Sequence, residues 1–92
     1  MTVHTRQEDN VDQEKELRRR VGKRLRLARW RAELTQEQLA GAASVSRNLV
    51  SLIEHGALGG VDAYRLRRLA LATGTTLAAL FDDEPARQDG RQ

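Results

Sequence analysis

Apolar residues in the first third of the chain recur at helical spacing. Between residues 14 and 32 they lie three or four positions apart, as on one face of an amphipathic helix: Leu17, Val21, Leu25, Ala28 and Ala32. No segment alternates apolar and polar residues in the manner of a half-buried strand. The pattern predicts an all-α fold whose first helix spans residues 14–32.

Two short helices are predicted next, each with its own start signal. Thr35 and Gln38 have the spacing of a capping box ahead of the sequence QEQLAGAA, and Ser44 ends that helix or forms the turn after it. Ser46 suits the N-cap of RNLVSLIEH, and Gly56 can adopt the positive φ that closes a helix. In this third helix Leu49, Val50 and Ile53 can face the core.

Two further helices complete the predicted fold. Asp62 caps a helix that runs to Ala72, with Gly74 at its end and an inward face of Leu66, Leu69 and Ala70. Thr76 caps the short helix LAALF, which returns three side chains to the core: Leu77, Leu80 and Phe81.

The ends of the chain differ from this periodic part. Residues 1–13 and 84–92 have almost no apolar content and no helical period, so we expect an acidic N-terminal arm and a C-terminal tail that are both mobile. The predicted folded domain therefore spans residues 14–83.

Composition narrows the class of protein. The 92 residues suffice for one small domain, and without cysteine neither a disulfide framework nor a thiolate metal site can form. No apolar run approaches the roughly 20 residues of a membrane span, and no secretory signal opens the chain. We expect a cytoplasmic protein without a membrane partner. The 14 arginines against 2 lysines, with abundant alanine, hint at a GC-rich bacterial genome.

Charge is distributed unevenly along the chain. Residues 15–72 carry 13 basic and 5 acidic side chains, a net charge of +8, whereas residues 1–14 have a net charge of −3 and residues 82–92 one of −2. Such a basic centre indicates either a polyanionic partner or an arginine-rich surface that is merely solvated.

The second and third helices have the spacing of a helix-turn-helix. About three residues join them, and Ala40 is small enough for the third helix to cross closely over the second. Four apolar residues fix the angle between the helices: Leu39, Val45, Val50 and Ile53. The outward face of the third helix then presents Arg47, Asn48, Ser51 and Leu52.

The order of four segments resembles a known family. VGKRLRLAR, LTQEQLA, VSRNLVSLIEHG and LRRLALATGTTLAALF, within residues 21–81, resemble the phage Cro and repressor type of helix-turn-helix proteins, the Xre family. The resemblance implies a compact five-helix, lambda-repressor-like domain with its helix-turn-helix at helices 2 and 3. It also implies a homodimer that binds double-stranded DNA.

The resemblance assigns roles to matching residues. Arg47 and Asn48 would contact base edges, since arginine suits guanine and asparagine suits adenine. Ser51 and Leu52 would meet a second base or the backbone, although Leu52 could equally tuck against a neighbouring side chain. Phosphate contacts fall on Thr35, Gln36 and Ser46, and the resemblance implies a structural ion pair between Arg29 and Glu54.

Two departures from the family concern the backbone. Ser44 and Glu33 stand where many members have glycine, so each must either avoid positive φ or accept strain of about 1 kcal/mol. The loop ALGGV is longer than usual and lacks the basic residues that contact phosphate in relatives.

Several apolar residues remain as candidates for an interface. Leu27 and Trp30 lie off the apolar stripe of the first helix, so they either contact a second subunit or another protein or are covered by the tails of this chain. A rival dimer surface is the last helix, since family members often pair through it; its residues are Leu77, Leu80 and Phe81.

The sequence holds no sign of catalysis. It contains no nucleophile elbow, no phosphate-cradling loop and no cluster of metal ligands, so we expect neither an enzyme nor a metal or cofactor. The prediction is a sequence-specific DNA-binding regulator of transcription, a repressor. The alternative is a protein-interaction module, such as an antitoxin or an adaptor that binds a larger partner.

Overall fold

Five α-helices form the described part of the chain. The computed structural model describes residues 3–58 and 60–83, with side chains from residue 11 onward. Its helices are α1 (Val3–Arg31), α2 (Gln36–Ala43), α3 (Arg47–Glu54), α4 (Ala63–Ala72) and α5 (Leu77–Phe81). No strand occurs within these residues, and the predicted all-α class is confirmed.

Each helix from α2 to α5 begins at a side chain that caps it. The Thr35 hydroxyl accepts the Gln38 N–H at 3.0 Å while the Gln38 side chain accepts the Thr35 N–H at 2.9 Å, which is the predicted capping box. Ser46, Asp62 and Thr76 accept a backbone N–H three residues on, at 3.1, 2.8 and 3.0 Å. Local polar residues therefore set where these helices start.

The first helix is longer than its apolar stripe. It begins at Val3, so the predicted start at residue 14 is wrong. Extending an existing helix adds one backbone hydrogen bond per residue without a new nucleus, and it needs no buried side chains. The helix also ends at Arg31, which leaves Ala32 exposed in the turn and outside the predicted buried stripe. The tail over residues 84–92 lies outside the described residues.

Apolar side chains from all five helices form one core. Its largest fully buried members are Leu25, Leu39, Ile53, Leu69, Leu80, Val21 and Val50. Helix α1 packs against α3 and α5, while α2 packs against α3 and α4. Leu80 is 1% exposed, which corrects its assignment to an interface, because its side chain already fills the core of its own chain.

A tight turn connects α2 to α3. Ser44 closes α2 in the left-handed region, with φ 58° and ψ 47°, and the Val45 N–H donates to the Ala40 carbonyl at 3.0 Å. Glu33 likewise has φ 59° after α1. Both residues therefore adopt the positive φ that favours glycine, and the strain is accepted rather than avoided.

In the part of the chain that the structure describes, no helix combines the length and the apolar character that crossing a bilayer requires.

Candidate nucleic-acid interface

The first turn of α3 is exposed. Arg47 and Asn48 project from it, and neither side chain forms a hydrogen bond or ion pair with another described residue. Ser51 is half-buried, and Leu52, one position further along the helix, is 46% exposed. The four residues predicted to contact bases thus lie on one short helix, with two polar side chains at its start that are open to a partner.

The opposite end of α3 is held by charged groups. The Glu54 carboxylate, with its side chain 3% exposed, accepts hydrogen bonds from Arg29 Nε at 2.7 Å and Nη2 at 3.0 Å. Gln36 Nε2 donates to the same carboxylate at 3.1 Å, and Arg29 Nη1 donates to the Leu34 carbonyl at 3.0 Å. One carboxylate therefore joins the ends of α1 and α3 to the start of α2.

These contacts keep the ion pair charged. Burial raises the pKa of Glu54, but the hydrogen bonds from Arg29 and Gln36 outweigh it, and the net pKa is lowered. The hydrogen bond to Glu54 raises the pKa of Arg29 against the effect of desolvation. A bidentate arginine with a second hydrogen-bond donor gives the carboxylate the partners that a buried charge requires.

A glycine in α1 allows the close approach of α3. A Cβ atom at Gly22 would lie 2.2 Å from the Ile53 carbonyl oxygen and 3.1 Å from that of Glu54. One turn further along α1, Arg26 Nη2 donates to the Glu54 carbonyl at 3.1 Å. Sequence reasoning assigned no role to Gly22, and the available signal was a glycine inside an amphipathic helix.

The residues predicted to bind phosphate are already engaged as hydrogen-bond partners. The oxygens of Thr35 and Ser46 accept the capping N–H groups, and the Gln36 amide donates to Glu54. The start of α2 still provides the first-turn backbone N–H groups that no intrahelical carbonyl can accept. This helix start adjoins the C-terminal end of α3 through the Gln36 contact with Glu54.

Some basic residues have structural roles. Arg24 Nη1 donates to three carbonyls at the end of α5, those of Ala79 at 2.9 Å, Leu80 at 3.3 Å and Asp82 at 2.7 Å. Arg68 Nε donates to the Ala43 carbonyl at 2.9 Å and so joins α4 to the end of α2. The positive charge of the chain therefore includes cations that stabilise helix ends.

The predicted interface residues do not form one patch. Trp30 is 55% exposed, with its ring centroid 5.8 Å from Arg26 Cζ, whereas the half-buried Leu27 lines a shallow pocket with Ala79 of α5. Leu77 and Phe81 line a different feature, an open apolar groove of about 520 Å³, with Leu58, Val61, Asp62, Ala63, Leu66 and Ala78. Leu27 and Trp30 thus differ in exposure and in their contacts, whereas Leu77 and Phe81 line the same groove.

Nowhere among the described residues do three or more histidine, cysteine or acidic side chains come together as a group that could hold a metal ion.

Comparison with known proteins gives one result. The family described as "Helix-turn-helix domain" matches residues 20–82, which is more than half of the chain and includes all of α2 to α5. No curated protein and no solved structure matches the chain.

Proposed function

This chain belongs to the helix-turn-helix domain family, and we propose that it is a sequence-specific, double-stranded DNA-binding regulator of transcription of the Cro and repressor (Xre) type. The observation that carries the proposal is the exposed first turn of α3, where Arg47 and Asn48 have no partner among the described residues. Such a regulator acts on the chromosome, and we place it in the cytoplasm of a bacterium.

Base contacts come from the outward face of α3. With this helix in the major groove, Arg47 donates to guanine O6 and N7 and Asn48 pairs with the adenine edge. Ser51 lies one turn after Arg47 and reaches a neighbouring base or sugar. Leu52, half covered by its own surroundings, offers an apolar contact to a thymine methyl group.

Phosphate contacts come from the start of α2. The Gln36 amide uses one N–H on Glu54 and keeps a second N–H for a phosphate oxygen. Since the Thr35 and Ser46 oxygens accept in their caps, their hydroxyl protons remain available as donors. Together with the backbone N–H groups of the helix start, these donors orient the domain on the duplex without selecting a base.

The protein acts as a homodimer in this proposal. Two copies place their α3 helices in successive major grooves, with half-sites about 34–36 Å apart. The apolar groove beside α5 supports this arrangement, because Leu77 is half-buried and Phe81 is 37% exposed at its edge. Repression follows when the bound dimer overlaps a promoter and blocks polymerase.

Selection of bound duplexes from a random DNA pool tests the proposal. The expected product is a defined sequence repeated in two symmetric half-sites, with an affinity that falls steeply as salt concentration rises. A selected pool without any consensus would contradict sequence-specific binding, and a single unrepeated site would contradict the homodimer.

Arg47→Ala then tests the role of α3. It should weaken binding to the selected duplex by about 1–3 kcal/mol and relax discrimination at one base pair. The matched control is Arg31→Ala, which removes an exposed arginine from the end of α1. An equal loss of affinity for every sequence would make Arg47 a phosphate contact.

A protein-interaction module, such as an antitoxin or adaptor, is the second candidate. The exposed Trp30 and the open apolar groove beside α5 favour it. In that case the purified chain would bind no duplex and would form a complex of fixed stoichiometry with a larger protein.

A further inference from the structure

A second group of basic side chains lies beside the C-terminal end of α3. Arg19, Lys23 and Arg26 of α1 and His55 after α3 line a shallow pocket of about 410 Å³, together with Glu54 and Gly56. We call these four side chains the α1 basic surface. The DNA contacts described above do not use it.

This surface has an excess of positive charge. Arg19 is exposed and pairs with the exposed Glu16 at 3.0 Å, a surface contact that is weak in water and that leaves the cation accessible. Lys23 is exposed, and its side chain forms no hydrogen bond or ion pair with another described residue. The Glu54 carboxylate in the same pocket is almost fully buried and is already neutralised by Arg29. An anion at this surface would therefore meet uncompensated cations.

Arg26 is the member of the surface that is fixed in place by contacts within the chain. Its guanidinium lies over the Trp30 ring at 5.8 Å and donates through Nη2 to the Glu54 carbonyl at 3.1 Å. Its Nε is buried and has no hydrogen-bond partner among the described residues. A guanidinium has five N–H donors, so this one can still donate to a further acceptor without first being ordered.

The α1 basic surface adjoins the proposed phosphate site at the start of α2. Gln36 of α2 and Arg26 of α1 both contact Glu54, the first at its carboxylate and the second at its carbonyl. A DNA strand with one phosphate at the start of α2 can continue across this neighbouring surface. The loop after α3, with the sequence ALGGV, has no cation of its own.

We propose that the α1 basic surface binds the backbone of the same DNA strand, at the phosphates next to the one held by the start of α2. The inference rests on the proposed function and adds a contact that the helix-turn-helix itself does not supply. It gives α1 a part in affinity for any sequence and no part in choosing the base pairs.

The test uses the full-length chain with Arg19→Ala and Lys23→Ala combined. Both side chains are exposed, so thermal unfolding should be unchanged, and Arg26 is left intact because it also packs on Trp30. The matched control combines Arg31→Ala with Arg67→Ala, which removes the same charge from exposed positions elsewhere. Binding to the selected duplex and to a scrambled duplex is measured by fluorescence anisotropy over a range of salt concentrations.

The expected result is a smaller salt dependence. Each lost phosphate contact lowers the slope of log K against log salt by about 0.9, so the double variant should lose about 1.8. Affinity should fall by the same factor for both duplexes, and the control pair should change the slope much less. An equal change in the control pair would overturn the inference, because it would report net charge alone.

Neutral phosphates locate the contact. A methylphosphonate at the position next to the α2 phosphate should weaken binding by the wild-type chain by a larger factor than binding by the double variant, which retains Arg26. If the wild type binds the selected duplex and the double variant binds it equally well, this inference fails and the proposed function stands. If the wild type binds no duplex, the proposed function itself fails; binding of an acidic protein through Arg19 and Lys23 would then identify a different partner.

Discussion

The two ends of α3 are built in opposite ways. At its C-terminal end, Glu54 is bound by Arg29 and Gln36, and Gly22 lets the backbone of α1 approach the last carbonyls. At its N-terminal end, Arg47 and Asn48 are exposed and have no partner among the described residues. The same eight-residue helix is thus fixed at one end and open at the other.

The difference assigns one role to each end of α3. The C-terminal end orients the helix, and the N-terminal end supplies exposed side chains. A fixed end sets the direction of α3, so in the proposed complex the helix backbone has little freedom left to lose on binding. Changes at the fixed end should therefore alter folding, and changes at the open end should alter recognition.

Removing the carboxylate of the fixed end should have the largest effect. Glu54→Ala leaves the Arg29 guanidinium, whose side chain is 10% exposed, without its charged partner, and should lower the free energy of unfolding by about 3–5 kcal/mol. Chemical denaturation followed by circular dichroism measures this. Glu16→Ala, which removes the partner of the exposed Arg19, is the control and should change stability by less than about 1 kcal/mol. Similar losses of stability in the two variants would mean that the buried contacts of Glu54 stabilise the fold no more than a surface ion pair does.

A side chain added at the close approach in α1 should have the second-largest effect on stability. Gly22→Ala places a Cβ against the Ile53 carbonyl, which is backbone and cannot rotate away, so the free energy of unfolding should fall by about 1–3 kcal/mol. Gly41→Ala in α2 is the matched control, since nothing lies within 4 Å of the added Cβ, and it should gain about 0.5–1 kcal/mol. Equal stability of the two variants would show that the close approach at Gly22 does not help to fix α3.

Acid should weaken the fixed end through Glu54. Its pKa is lowered in the folded chain from the usual value of 4.5, so its stabilising contribution is full above about pH 4.5 and is lost as pH falls through the lower folded-state pKa. The stability difference between wild type and Glu54→Gln should be constant near neutral pH and shrink on acidification. Urea denaturation at a series of pH values measures it, and a difference independent of pH would contradict a charged Glu54.

The turn before the open end should show the smallest change. Ser44→Gly removes a Cβ from a residue at φ 58° and should raise the free energy of unfolding by about 0.5–1 kcal/mol. Ala42→Gly, in the exposed part of α2, is the control and should lower it by a similar amount. Destabilisation by Ser44→Gly would show that the serine side chain itself supports the turn.

Much of the fold followed from local sequence features. The caps at Thr35, Ser46, Asp62 and Thr76 start their helices where predicted, because each hydroxyl or carboxylate acts on a backbone N–H three residues away. The start of α1 was predicted wrongly, since a helix that needs no buried face leaves no apolar pattern in its first turns. The assignment of Leu80 to an interface was wrong, because the sequence alone does not distinguish an apolar residue of the core from one at a surface.

The candidate site likewise combines features that local sequence predicts with features that depend on tertiary contacts. The exposed positions of Arg47 and Asn48 follow from helical periodicity and a cap, both of which are local. The roles of Gly22 and Arg26 do not, because they depend on a contact with α3 that is about thirty positions away in the chain. Whether an arginine stabilises a helix end, as Arg24 and Arg68 do, or is open to a partner also depends on its neighbours in space.

The sequence by itself determined an all-α chain, the starts of four helices and a basic centre, since helix periodicity, capping and charge act over a few residues. Only the tertiary structure decided how closely α1 approaches α3, which cations are open to a partner and whether Ser44 and Glu33 accept positive φ. These features arise from packing between distant segments, where burial changes the free energy of a charge or a close contact. A single sequence records the residues involved but not their distances.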